Sequence, residues 1–271
     1  MSKDKRRILV PYDYTELSDY AVKYAVQLSK IIESDIVLLH VIDDIKDEAS
    51  ELHRLESVAE DTSKKYGVVI ENKIRPGVIY KVIKAVAKSI DAFVVIMKTQ
   101  PPHGSEKFLR SRSIRVMMGS KIPFIIVQES PKRLAIRKIV FPIDFRKENK
   151  EKLVWISTLS KYYTSHIHLF KPKVSDYRVK ANLGFSLRFL EGKNINYEIV
   201  TGSRSLSNAD ETIEYAHKID AQLIIIMLSK SIGLFSSLFG LSEQKYISNK
   251  YKIPVMVINP RTELHKYEGF Y

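Results

Sequence analysis

One stretch of this chain is written twice, and that repeat limits what it can fold into. Arg7-Ile8-Leu9-Val10-Pro11-Tyr12-Asp13 returns as Lys138-Ile139-Val140-Phe141-Pro142-Ile143-Asp144, a shift of 131 residues. Leu28-Ser29-Lys30 returns as Leu159-Ser160-Lys161, and Ile36 and Leu38 return as Ile167 and Leu169, at the same shift. Lys121-Ile122-Pro123-Phe124-Ile125-Ile126-Val127 returns as Lys252-Ile253-Pro254-Val255-Met256-Val257-Ile258, again 131 residues on. Between these points the register drifts, since Asp91-Ala92 matches Asp220-Ala221 at 129. Four matches at one offset imply two copies of one unit, with boundaries expected at 1–130 and 131–271 and a charged linker over 129–138 that carries Pro131.

Hydrophobic spacing gives each copy its elements. Ile8 to Val10 is a short apolar run closed by proline, as a buried strand is. Leu17, Tyr20, Ala21, Tyr24, Ala25 and Leu28 follow at helical spacing, with Thr15 placed to cap the helix. Further strands are predicted at 35–42, 68–74, 92–97 and 124–127, and helices at 48–65 and 79–90, with a last one near Ile114, Met117 and Met118. The second copy repeats the strands near 139–141, 166–170, 196–200, 222–227 and 255–258. Its second helix, about 177–190, is more apolar than its counterpart. Strands alternating with helices imply a parallel sheet covered on both faces.

Composition excludes several classes. The chain of 271 residues has no cysteine, so disulfides and cysteine-ligated zinc are ruled out. The charged start at Met1 to Arg7 is not a signal peptide. No apolar run approaches a membrane span, so a cytoplasmic protein without membrane contact is expected. The net charge is +13 and falls mostly in the second half. No helix-turn-helix, RNP or zinc-finger pattern accompanies it, and the 15 tyrosines form no stacking motif, so nucleic acid is not the expected partner. Neither GxxxxGK[ST] nor a GxGxxG after a strand is present, which removes the P-loop and dinucleotide readings. His166 and His168 share a strand face, but no third ligand is visible in sequence and no metal site is assigned. Asp13 has no nucleophile or second acid placed with it, so no catalytic residue is assigned. Capping the turn after the first strand is its structural alternative.

The order of these motifs, twice over, resembles the universal stress protein family, as a tandem two-domain member. The carriers are Ile8-Leu9-Val10-Pro11-Tyr12-Asp13, the helix over 18–30, Asp35-Ile36-Val37-Leu38-Leu39-His40-Val41, Gly77 before a helix, Asp91-Ala92-Phe93-Val94-Val95-Ile96-Met97, and Lys121-Ile122-Pro123. The resemblance implies an α/β fold of two tandem five-stranded parallel-sheet domains, of the adenine nucleotide alpha hydrolase-like type, in a pseudo-two-fold arrangement. The closing strands are expected to meet between the domains, because pairing them removes two open edges. A homodimer is also implied, since family members usually dimerise through the last strand.

In nucleotide-binding members, the first-strand aspartate and the end of the second strand hold adenosine. Here these are Pro11, Tyr12, Asp13 and Val41, with Asp144 in copy two. Phosphates sit on a loop of pattern Gly, two residues, Gly, nine residues, Gly-Ser or Gly-Thr, where glycines let backbone N–H groups approach the anion. This chain departs from the pattern. The copy-one frame holds Lys98, Pro101 and then Arg110 or Ser111. The copy-two frame holds Leu228, Ser231, Leu241 and Ser242, of which only Ser242 fits. Side chains crowd the anion approach, and Pro101 removes a donor. The chain therefore resembles the branch of the family that lacks the phosphate loop. The expected role is a non-enzymatic stress-response module with degenerate sites in both halves, taking ATP or another adenine nucleotide weakly or not at all. The alternative is an ATP-binding member with slow hydrolysis or autophosphorylation. Lys107, Arg110, Ser111, Arg112, Ser113 and Arg115 bear on the alternative, since cations and hydroxyls can hold phosphate by side chains, but a solvated basic helix face is the expected reading. The matching loop of copy two, 232–241, is apolar; it either folds back on its own domain or is a candidate protein contact.

Overall fold

The computed structural model describes residues 6–99, 116–133, 135–144, 150–203, 209–228 and 241–259. Ten strands run in chain order: β1 Arg7–Pro11, β2 Asp35–Ile42, β3 Ile70–Pro76, β4 Val94–Lys98, β5 Phe124–Val127, β6 Lys138–Pro142, β7 His166–Lys171, β8 Tyr197–Thr201, β9 Leu223–Met227 and β10 Val255–Ile258. Helices among the described residues are α1 Glu16–Ile32, α2 Glu48–Tyr66, α3 Ile79–Ser89, α4 Lys150–Ser160, α5 Tyr177–Gly192, α6 Ala209–Lys218 and α7 Leu241–Ile247. The last helix expected in copy one falls mostly outside the described residues; Val116 and Met117 are helical and buried.

The strand order is β3-β2-β1-β4-β5-β10-β9-β6-β7-β8. Each half is parallel within itself and the two orders mirror one another. The halves join where β10 runs antiparallel to β5, with Val255 opposite Ile126, Met256 opposite Ile125 and Val257 opposite Phe124. The closing strands thus meet as expected. They also fuse the two sheets into one of ten strands, because each closing strand otherwise leaves a row of unpaired N–H and C=O groups. An antiparallel pair is itself two-fold related, so the pseudo-two-fold axis passes through this seam.

Side chains alternate across the sheet and build two cores. Ile8, Val10, Ile36, Leu38, Ile125, Phe141 and Ile225 face α1, α2, α4 and α5. Leu9, Val37, Leu39, Phe124, Val140 and Ile224 face α3, α6 and α7. Because both faces are covered, central strands such as β9 are buried at every position. Only Ile74 of β3 is buried. That weak alternation is why β3 ends two residues later than its spacing predicts, at Pro76, a residue an edge strand tolerates.

Helix α1 begins where its sequence indicates. The Thr15 hydroxyl accepts from the Ser18 N–H, and the Ser18 hydroxyl accepts from the Thr15 N–H at 3.1 Å. This cap fixes the turn that carries Asp13.

Candidate functional site

Parallel strands place their carboxyl ends on one rim of the sheet, where ligands of open α/β folds bind. In copy one that rim holds Pro11 and the turn after it. Tyr12 N–H donates to the Leu39 carbonyl at 2.8 Å, and the buried Tyr12 hydroxyl donates to Asp19 at 2.6 Å. Burial and the Asp19 carboxylate push the Tyr12 phenol up from its ordinary value. Asp13 Oδ1 accepts from the Thr15 hydroxyl at 2.7 Å and from its N–H at 3.3 Å.

Lys98 closes this turn. It ends β4, and its Nζ lies 2.5 Å from Asp13 Oδ2 and 2.5 Å from the Thr15 hydroxyl. The lysine side chain is 19% exposed and the aspartate 48%. Partial burial raises the Asp13 pKa, but hydrogen bonds from Lys98 and Thr15 and the lysine charge outweigh it, and the net shift is downward from 3.8.

The end of β2 carries a second group. His40 Nδ1–H donates to the Tyr12 carbonyl at 2.8 Å, and its Nε2 stands 3.6 Å from Glu51. Tyr14, at φ 60°, packs on His40 with ring centres 4.8 Å apart, and the Arg54 guanidinium lies 3.7 Å from the Tyr14 ring centre. Burial and the Glu51 contact push the Tyr14 phenol up to about 12. Val41 sits beside this group, half-buried, opposite Arg75 of β3.

Copy two is built differently. Ile143 N–H donates to the Phe170 carbonyl at 2.8 Å, the counterpart of the Tyr12 bond. The Asp144 carbonyl accepts from Asn182 of α5 at 2.7 Å. In the strand register the position of Lys98 is taken by Met227, which is buried, and Leu228 stands where copy one has Thr99. Instead Lys152 enters from α4, where its Nζ donates to the Pro142 carbonyl at 2.6 Å and lies 4.2 Å from the Phe141 ring centre. Ser242 is exposed in the first turn of α7. Arg110, Ser111 and Arg112 lie outside the described residues, as does the apolar loop apart from Leu241, which opens α7.

The sequence model of the universal stress protein family matches residues 5–128. Residues 5–128 belong to the universal stress protein family. A search of curated proteins finds no match. Among solved structures, a universal stress protein from Archaeoglobus fulgidus DSM 4304 is similar at 19% identity and a TM-score of 0.77, over 96% of this chain and 100% of that one. A putative universal stress protein from Pseudomonas aeruginosa UCBPP-PA14 follows at 18% identity and 0.69, over 94% of each chain. A functionally unknown protein from Pseudomonas aeruginosa PAO1 gives 17% identity and 0.68, over 94% of this chain and 93% of that one. At these identities the likeness shows the fold, which spans both halves.

The universal stress protein domain of copy one thus holds its signature aspartate in an ion pair made within the chain. Lys98 was visible in sequence as a residue standing at a glycine position. Its pairing with Asp13, 85 residues away, left no local signal. The Lys152 contact, across the equivalent turn of copy two, left none either.

The ion pair has a pH signature. The folded pKa of Asp13 is depressed, so between the folded and unfolded values the unfolded state binds more protons. The contribution is fully present above the unfolded value and is lost as pH falls through the folded one. Lys98→Met should therefore lower Tm near neutral pH and lose most of that effect in acid, below the folded pKa of Asp13. Thermal melts at both pH values check this; an equal deficit at both would show that the pair contributes no charge-dependent stability.

Proposed function

We propose that this chain is a non-enzymatic, cytoplasmic stress-response module of two universal stress protein units, 1–130 and 131–271, whose nucleotide sites are degenerate. One observation carries the reading: Lys98 stands at the first glycine position of the phosphate loop and spends its charge on Asp13 and Thr15. A nucleotide entering copy one has to break that pair before the aspartate can accept from a ribose. It also gains no glycine backbone for its phosphates in return. In copy two the matching position is the buried Met227. Among the described residues no helix is long and apolar enough to cross a membrane.

Calorimetric titration of the full chain with ATP should show no binding tighter than about 10 μM, which corresponds to roughly −7 kcal/mol. Lys98→Gly frees Asp13 and restores a frame glycine, so it should bind ATP more tightly than the parent. A nanomolar titration of the parent, or ATP co-purifying at one per chain, overturns the proposal in favour of an ATP-binding member.

A further inference from the structure

In copy two, the end of the strands opposite the Asp144 turn carries a second group of reactive side chains. His166 and His168 are two apart on β7 and share one face. Glu198 of β8 stands directly opposite His168 in the parallel register. Donor atoms of all three lie within 4.8 Å of one another. His168 Nδ1 is 2.7 Å from Glu198 Oε1, and His166 Nε2 is 3.9 Å from Glu198 Oε2. The Tyr215 hydroxyl of α6 donates to Glu198 Oε1 at 2.6 Å and so fixes the carboxylate.

His168 is 5% exposed, and its Nδ1 lies 2.9 Å from the Tyr215 hydroxyl as well as 2.7 Å from Glu198. The repeat shows that the fold itself does not require this group. In copy one, Val37 stands opposite Glu71 as His168 stands opposite Glu198, and Val37 is fully buried. Asp35 occupies the place of His166. The position of Tyr215 falls on Val86, since Ala92 N–H and Ala221 N–H make equivalent bonds to Ala87 and Ala216. The fold is therefore satisfied by apolar residues at the two inner positions. Copy two has replaced them with an imidazole and a phenol aimed at one carboxylate.

We propose that His166, His168 and Glu198 form a binding site for Zn²⁺, with Tyr215 as the positioning residue for Glu198. Two imidazoles and a carboxylate are a zinc donor set, and a tyrosine or carbonyl partner behind a ligand is the usual support for one. With metal–ligand bonds near 2.0–2.2 Å, tetrahedral donor atoms stand about 3.3 Å apart. The observed 2.7 and 3.9 Å fall on either side of that value, and the widest separation in the group, up to 4.8 Å, has to close by about 1.5 Å. Three protein ligands leave a fourth position for water or an outside donor. His166 and Glu198 side chains are 40% and 48% exposed, which gives the ion a route in. Lys138, opposite His166 in the register, has its Nζ held on the Ile219 carbonyl at 2.9 Å. The site lies at the amino ends of its strands, away from the Asp13 and Asp144 turns, and does not rest on the nucleotide reading.

The test uses the full chain stripped with chelator, titrated with Co²⁺ and then Zn²⁺. One equivalent of Co²⁺ should give the strong visible absorption of a tetrahedral site, and one equivalent of Zn²⁺ should abolish it and raise Tm. His166→Ala removes an exposed ligand outside the buried bonds, so it should keep the metal-free Tm and weaken Zn²⁺ more than tenfold. Glu198→Gln should do the same to affinity. Tyr215→Phe should weaken Zn²⁺ by about 10- to 100-fold, as loss of a supporting partner does. If the parent binds no Zn²⁺ tighter than about 10 μM, or if His166→Ala binds it as tightly as the parent, the group is a hydrogen-bond network and the proposal fails.

Discussion

Phe124→Ala should lower the free energy of unfolding by about 3–5 kcal/mol. Phe124 is fully buried and opens β5, where Val95 of β4 pairs with it on one side and Val257 of β10 on the other. The void left by the ring cannot collapse, because both flanking strands are held by ladder hydrogen bonds. Residual cavity volume is what drives such losses to the upper end of their range. The effect should reach both halves, since the core that contains Phe124 runs across the seam from Leu9 to Val140. Trp155, the single tryptophan, packs on Phe93 with ring centres 5.3 Å apart, so its fluorescence reports from a contact between the halves. Urea unfolding followed by Trp155 fluorescence and by circular dichroism should give one coincident transition at lower urea. Tyr177→Ala, at a 78% exposed position, should stay within about 0.5 kcal/mol of the parent. A Phe124→Ala loss below about 1 kcal/mol would mean that the seam is not packed as described.

Asn249→Ala should cost about 2–4 kcal/mol. The side chain is 3% exposed and ties the turn between α7 and β10. Its amide donates to the carbonyls of Tyr246 at 2.9 Å and Ile253 at 2.8 Å, and its oxygen accepts from the Ile253 N–H at 3.0 Å. Truncation leaves buried backbone groups without partners, at about 1–3 kcal/mol for each. Its own carbonyl accepts from Gln128 across the seam at 3.2 Å, so the turn also positions β10 against β5. Copy one does the same job with Ser120, whose hydroxyl contacts both the N–H and the carbonyl of Ile122. Asn249→Ser should therefore recover part of the loss. Chemical denaturation of the three proteins checks this; equal stability for parent and alanine variant would remove the network from the account.

The central strands were legible in sequence because burial on both faces leaves no room for anything but apolar runs. β2, β5 and β10 have the bounds their composition predicts, and Thr15 caps α1 as its position indicates. β3 was displaced because an edge strand is under weaker compositional constraint. The site was legible only in part. Repeat and motif located Asp13 and Asp144, since the turn after β1 is local. The side chains that reach these turns come from β4 in one half and from α4 and α5 in the other, distant in sequence and different between the copies. The His166 and His168 pair was visible as a spacing, but Glu198 reaches it through strand pairing and Tyr215 through helix packing. Neither of those leaves a periodic trace.

The seam between β5 and β10 also changes how the molecule meets mass action. Two separate units pairing their last strands would associate by diffusion, with a population that follows protein concentration. Here the partners are tethered through the segment between Val127 and Lys138, so each strand sees the other at an effective concentration on the order of millimolar, whatever the dilution. The edge that would recruit a second chain is thereby spent within the first. The free borders of the sheet are β3 and β8, whose residues include Glu71, Lys73, Arg75 and Glu198. Charges along a border resist further strand addition. The pairing of the two halves is thus an intramolecular event.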